Sequence, residues 1–198
     1  MTSLESSIKA LIAELQANRN LPKYQFERCS EPFLALFLSE AIEHHFGLKV
    51  SIVAPEFPLK KENNQSTNVD FAFKILGQGW LFVEVKTVAE GPRPEQISAY
   101  RQASQKTVNE LANDVKTIRS ATTEKRKYDA LLERVENCFP HIGNPRFLYL
   151  SPHKENPVAC ESPWLEWRSF ETLFAGFQSR NHPELWRLAS GLFELPPQ

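Results

Sequence analysis

Apolar residues recur along the chain with two different periods, and the changes of period mark out its elements. Leu4, Ile8, Leu11, Ile12 and Leu15 lie three or four apart behind Thr2-Ser-Leu-Glu5, a capping-box sequence. They predict an amphipathic helix to about Ala17 with those five side chains inward, stopped by Leu21-Pro22. Ser30 is placed to cap a second helix through about Phe46, ended by Gly47. That helix is apolar on nearly all sides, as one packed on a sheet would be. Residues 48–59 predict a strand interrupted by Pro55 and Pro58, which suits an edge or a bend. Polar residues from Lys61 to Thr67 form a loop.

The period then changes to two. Asn68-Val-Asp-Phe-Ala-Phe-Lys-Ile-Leu and Trp80-Leu-Phe-Val-Glu-Val-Lys flank Gly77-Gln78-Gly79, where glycine permits positive φ, and together predict a β-hairpin. Its arms are rich in Val, Phe, Leu and Trp, residues suited to a largely buried pleated surface. Asp70, Glu84 and Lys86 interrupt that apolar pattern. Glu84 and Lys86 are two apart and so share a face, with Val85 on the other. A three-residue loop pairs even positions with even, such as 70 with 84 or 86, and brings Asp70 to the same end.

From Pro94 to about Asn137 the chain reads as a long helical segment, with Ile97, Tyr100, Val108, Leu111, Val115 and Ile118 on one stripe. A break is expected near Ser120–Thr123, after which Tyr128, Leu131, Leu132 and Val135 resume the pattern. This extension reads as an arm for substrate or for a dimer partner. Pro145–Leu150 is a buried strand by composition, Trp164–Arg168 a short one, and Ser169 caps a helix through about Gln178. A last helix runs from Pro183 to Phe193. Trp164, Trp167, Phe170 and Phe174 are core residues or, less in keeping with their type, a surface on which bases stack.

The convergence of Asp70, Glu84 and Lys86 needs a chemical reason. Carboxylates about 4 Å apart repel by about 4 kcal/mol at an effective dielectric near 20. A cation or a shared proton relieves this, and oxygen ligands suit Mg²⁺, with Mn²⁺ as substitute. The backbone carbonyl of Val85 is a further oxygen at the same point, and Lys86 is placed to orient water or to stabilise charge on a phosphate. Taken singly, each of these residues has an ordinary structural explanation; it is the conjunction that points to a site. Gln96 and Tyr100, four apart on a helix opening near Pro94, share a face whose first turn follows the Lys86 strand through Gly91-Pro-Arg-Pro94. An amide and a phenol there suit a phosphate or an ordered water, although Tyr100 is equally a core aromatic.

Asp70, a hairpin, then Glu84-Val85-Lys86 resembles the PD-(D/E)XK phosphodiesterase superfamily, the restriction-endonuclease-like nucleases, with Val69 where the family name has proline. Gln96-Ile-Ser-Ala-Tyr100 is similar to the Gln-x-x-x-Tyr signature of its exonuclease branch, which includes helicase-linked and CRISPR-associated nucleases. Ser30-Glu-Pro-Phe-Leu-Ala-Leu-Phe-Leu resembles the first core helix, whose glutamate often completes the metal site. The likeness covers about residues 28–175. It implies an α/β restriction-endonuclease-like core (αβββαβ), a mixed central sheet flanked by helices, here with the long helical extension. The implied metal set is Asp70, Glu84 and Glu31, with Glu40 or Glu27 as substitutes for Glu31. The implied activity is Mg²⁺-dependent hydrolysis of nucleic acid, DNA before RNA, in defence or repair. A catalytically inactive scaffold of the same fold and an RNA-cleaving enzyme are the competing readings.

Composition narrows this only a little. The chain of 198 residues reads as one domain, with an N-terminal helix (1–20), catalytic core (28–100), helical segment (94–137) and final strands and helices (145–195). A net charge of −1 leaves nucleic-acid binding to local clusters, foremost Lys60, Lys61, Arg93 and Arg101. Lys106 beside Arg93 and Arg101, and then Lys116, Arg119 and Lys125-Arg-Lys127, are further candidate clusters, although charge runs on helices are usually solvated faces. Cys29, Cys138 and Cys160 lack disulfide or zinc spacing, and His44-His45 falls near a helix end. No apolar run is long enough to span a membrane, and the first residues do not read as a secretory signal, so a cytoplasmic protein is expected. A homodimer and a recruiting protein partner both remain open.

Overall fold

The hairpin is the centre of a five-stranded mixed sheet. The computed structural model describes residues 4–18, 26–61, 65–87, 93–138, 143–152 and 164–193. Strands β1 (Val50–Lys60), β2 (Ser66–Ile75), β3 (Gly79–Val85), β4 (Arg146–Ser151) and β5 (Leu165–Ser169) lie side by side in chain order. The first three form an antiparallel meander; β4 runs parallel to β3 and β5 parallel to β4. A parallel neighbour for β3 requires a crossover, and the helices between β3 and β4 supply it. Ile75 pairs with Gly79 across the loop Leu76–Gln78, with Gly77 at φ +76° and Gly79 at φ +117°. This is the three-residue loop expected from the sequence. Pro55 and Pro58 lie on β1, an edge strand, where a missing N–H need not break a ladder.

Helices cover both faces because the central strand is buried on both. Helices α1 (Leu4–Asn18), α2 (Phe26–Phe46), α6 (Phe170–Leu173) and α7 (Pro183–Ala189) pack on one face. There Leu34, Phe37, Leu38 and Ile42 of α2 meet Phe71, Phe73, Leu81, Val83 and Val85. On the other face α3 (Pro94–Ser104), α4 (Val108–Ala121) and α5 (Lys125–Glu136) meet Val69, Ala72, Trp80, Phe82, Phe147 and Tyr149. No helix among the described residues is long and apolar enough to cross a membrane.

Several expectations are corrected. In α1 only Ile12 and Leu15 are buried; Leu4 and Leu11 are exposed, because α1 lies on the rim of the core and only a narrow stripe touches it. Helix α2 begins at Phe26, so Ser30 is not its cap but a buried interior residue, and Pro32 lies inside the helix. The long helical segment is three helices, and it is no arm: its apolar stripe is one wall of the core. A break at Gln105–Thr107 precedes the one near Thr122. Its signal is Thr107-Val-Asn-Glu110, a capping box in which Thr107 Oγ1 accepts the Glu110 N–H and the Glu110 carboxylate accepts the Thr107 N–H at 2.7 Å. After Ser169 only the short α6 forms, followed by Gly176 at φ +68°, and α7 stops at Ala189 before a 3₁₀ turn, Ser190–Leu192. Trp164 and Trp167 pack against one core and Phe170 and Phe174 belong to the other, so the four do not form one stacking surface. Cys29 and Cys138 are free; Cys160, Thr2-Ser3, Leu21-Pro22 and the Glu27 side chain lie outside the described residues.

Thr107→Ala removes the hydroxyl that accepts the Glu110 N–H and donates to the Glu110 carboxylate, and leaves only the backbone half of the box that starts α4. It is expected to lower the unfolding free energy by about 1 kcal/mol in urea denaturation.

Candidate active site

At the open end of the hairpin the sheet comes apart in a defined way. Pairing of β2 with β3 ends at Phe71↔Val83, whereas β2 stays with β1 to Lys60↔Ser66. The register carried one step further sets Asp70 opposite Glu84, the even-to-even pairing expected from the sequence. Asp70 supplies a side-chain acceptor there: its Oδ2 takes the Val85 N–H at 2.6 Å. The alternation of β2 slips at the same residue, since Val69 and Phe71, two apart, pack into opposite cores. Across β1 the matching irregularity is Glu56, at φ +51°, between the pairs Pro55↔Phe71 and Phe57↔Val69 and therefore facing Asp70. A non-glycine residue in this left-handed region costs about 1–2 kcal/mol. Glu56 Oε2 accepts a hydrogen bond from Asn68 Nδ2 at 2.8 Å.

Glu84 is the buried acid of the site, only 3 % exposed. It continues the face of Trp80 and Phe82, toward α3. Its Oε1 takes the Lys86 ammonium at 2.7 Å and the Gln96 amide, through Nε2, at 3.0 Å. Its Oε2 has no hydrogen-bond partner. Pro94 opens α3, and Gln96 Oε1 accepts the Arg93 N–H at 3.3 Å, which leaves Nε2 to donate to Glu84. One turn on, Tyr100 is fully buried and stacks on Phe147 with centroids 5.3 Å apart. Its hydroxyl lies in the field of Glu84 without closing a hydrogen bond of ordinary geometry. Burial first, and the charges of Glu84 and Asp70 after it, raise the phenol pKa far above its usual value, so Tyr100 is a neutral donor.

These groups surround a cavity of about 200 Å³. Its acids are Glu31, Glu56, Asp70 and Glu84, its cations Arg28 and Lys86, and Asn68, Val85 and Gln96 also line it. Sites that enclose a drug-sized ligand run to about 300–1,000 Å³. This one suits a phosphate group and a small ion rather than a whole nucleotide. A larger cavity of about 540 Å³ among Phe170, Phe174, Phe177 and Trp186 has mostly aromatic walls and lacks the convergent charges.

Asp70, Glu84, Val85, Lys86, Gln96 and Glu31 thus meet at one cavity, with Tyr100 behind Glu84. Glu40, the alternative to Glu31, is engaged elsewhere: its carboxylate accepts the Arg180 N–H at 2.6 Å and lies 3.4 Å from the Asn181 N and Ser179 Oγ. Lys60, Lys61, Arg93 and Arg101 do not line the cavity. Sequence reading missed Arg28, which stands three residues before Glu31 on the same helix; starting that helix at Phe26 puts both on one face. It also missed Glu56, since Pro55-Glu-Phe-Pro58 reads only as a strand with breaks.

The donors fit a hard cation of the Mg²⁺ type on one count. A buried carboxylate oxygen without a partner carries a desolvation penalty that an ion relieves. Among the described residues no three His, Cys, Asp or Glu side chains gather closely enough to hold an ion by themselves. Mg²⁺ asks for no more than one or two carboxylates, with water and phosphate oxygens filling the shell. No protein-family model, curated protein or solved structure matches the chain in comparisons with all three.

Lys86→Met leaves the buried Glu84 charge without its cation and is expected to cost about 3 kcal/mol of stability. The double variant Lys86→Met/Glu84→Gln regains most of this, as chemical denaturation of the two would show. Tyr100→Phe deletes an unpartnered hydroxyl and leaves stability unchanged or slightly raised in the same assay.

Proposed function

We propose that this protein is a metal-dependent nuclease hydrolysing phosphodiester bonds, with DNA favoured over RNA, and that its α2-β1-β2-β3-α3-β4 order is a restriction-endonuclease-like core. The observation that carries the reading is Glu84, a buried carboxylate whose Oε1 is fixed by Lys86 and Gln96 while Oε2 lacks a partner, in one cavity with Asp70. Buried carboxylate oxygens are as a rule hydrogen-bonded, and one that is not calls for an explanation.

Asp70 and Glu84 would hold Mg²⁺ or Mn²⁺, with the Val85 carbonyl and Glu31 as further oxygens at the cavity. Once bound, the ion screens negative charge on the phosphoryl oxygens and makes water a better nucleophile. The rest of the work falls to this chain's side chains. The Val85 N–H fixes the Asp70 carboxylate, and Gln96 fixes that of Glu84. Lys86, 2.7 Å from Glu84, is placed to orient the attacking water through a hydrogen bond and to stabilise charge building on the phosphate oxygens. Tyr100 keeps its proton and presents a neutral hydroxyl toward Glu84. Arg28 lines the same cavity and draws the phosphate to it. A site this small suits cutting directed by ends, by structure or by a recruiting partner.

Divalent metal at 10 times its dissociation constant is expected to stabilise the protein by about 1.4 kcal/mol, or ~3–6 °C in melting temperature. In the presence of Mn²⁺, the wild type is expected to cut at least one of linear, circular or single-stranded DNA or RNA, and Glu84→Gln none. An unmoved melting curve together with an uncut panel refutes the reading.

A further inference from the structure

Beside the site cavity lies a groove that the chemistry above leaves without a role. Helix α5 and strand β1 enclose it, with a volume of about 370 Å³. Glu56 and Asn68 line both the groove and the site cavity, so the two adjoin. Pro55 and Pro58 give the groove an apolar side on β1, and Lys127, Tyr128 and Arg134, from one face of α5, form the opposite wall. Arg134 is exposed and has no ion-pair or hydrogen-bond partner among the described residues. The ring of Tyr128 rests half-buried against the core, and its hydroxyl has no hydrogen-bond partner among those residues. The acids of the groove are engaged, Glu124 by Lys127 at 2.5 Å and Glu56 by Asn68. Arg134 is thereby left as the cation open to an anion.

We propose that this groove takes the nucleotide next to the scissile phosphate, and that the strand it takes is unpaired. The inference rests on the nuclease reading above and names the substrate class of that site. The two cavities differ as the parts of a nucleotide chain differ. The site cavity, about 200 Å³ and lined by charges, suits a phosphate; the groove reaches the size of sites that enclose a small organic ligand, and suits a sugar and base. Grooves that hold single strands combine cations for the backbone with an aromatic ring on which a base stacks. Arg134 supplies the first and Tyr128 the second. A duplex keeps its base faces covered by their neighbours and offers nothing to that ring.

The test is fluorescence anisotropy of a labelled oligothymidine in EDTA, where nothing is cut, beside oligouridine and oligothymidine annealed to its complement. Either single strand is expected to bind more tightly than the duplex, and the oligouridine arm tells RNA from DNA. Tyr128→Leu keeps an apolar side chain against the core and is expected to weaken single-strand binding about tenfold, whereas Tyr128→Phe, which keeps the ring, binds as wild type. Arg134→Gln, at an exposed position, is expected to melt as wild type and to lower the slope of log affinity against log salt by about 0.7. Duplex bound as tightly as single strands overturns the groove, as does wild-type affinity in Tyr128→Leu or a wild-type salt slope in Arg134→Gln. Cleavage of the substrate panel with Mn²⁺ then leaves the nuclease reading standing. No binding in EDTA also overturns the groove, and an uncut panel beside it defeats both.

Discussion

A carboxylate near the end of a buried strand, paired with the lysine two residues further on, is the constraint around which this fold is arranged. Strand β3 is covered on both faces, and Glu84 near its end is almost wholly out of water. Such a charge is tolerated only with a cation and hydrogen-bond donors at hand. Lys86 provides the first from the same strand, and Gln96 the second from the opening turn of α3. The entry of α3 is therefore tied to the site: Pro94 starts the helix, and the Gln96 side chain braces both the Arg93 N–H and Glu84.

The sheet around that charge is irregular in a directed way. Where β2 leaves β3, the Asp70 carboxylate takes up the Val85 N–H, so the ladder ends on a side chain and the acid is immobilised. Strand β1 carries Glu56 opposite, at positive φ, and shifts its register between Ile52 and Ala54. A regular three-stranded meander would send neighbouring side chains alternately to the two cores. The paired distortions instead turn carboxylates from adjacent strands toward a single cavity, and β1, as an edge strand, can bend without breaking a second ladder.

Sequence reading recovered the elements whose signals are local. The hairpin loop, the even register, the start at Pro94 and the strand at Pro145–Leu150 follow from glycine, proline and period-two patterning. It failed where distant packing decided. Leu4 and Leu11 obey helical spacing as well as Ile12 and Leu15 do, and only the curvature of the core separates them. Ser30-Glu-Pro32 has the composition of a helix start, yet the apolar face of α2 against the sheet carries the helix back to Phe26 through the proline. Continuous periodicity from Pro94 onward concealed a capping box at Thr107, where two helices meet.

The sequence by itself determined the chemistry available: Asp70, Glu84 and Lys86 on a buried hairpin, with Gln96 and Tyr100 one helical turn apart. Spacing along a strand or a helix is a property of the backbone, and so it can be read without the fold. Only the tertiary structure decided which oxygen of Glu84 is braced and which is bare. Only it chose Glu31 over Glu40 for the cavity, and brought Arg28 and Glu56 there. Those outcomes depend on where helix α2 and strand β1 lie against the hairpin. That placement is settled by two hydrophobic cores whose members are scattered along the chain from residue 12 to residue 193.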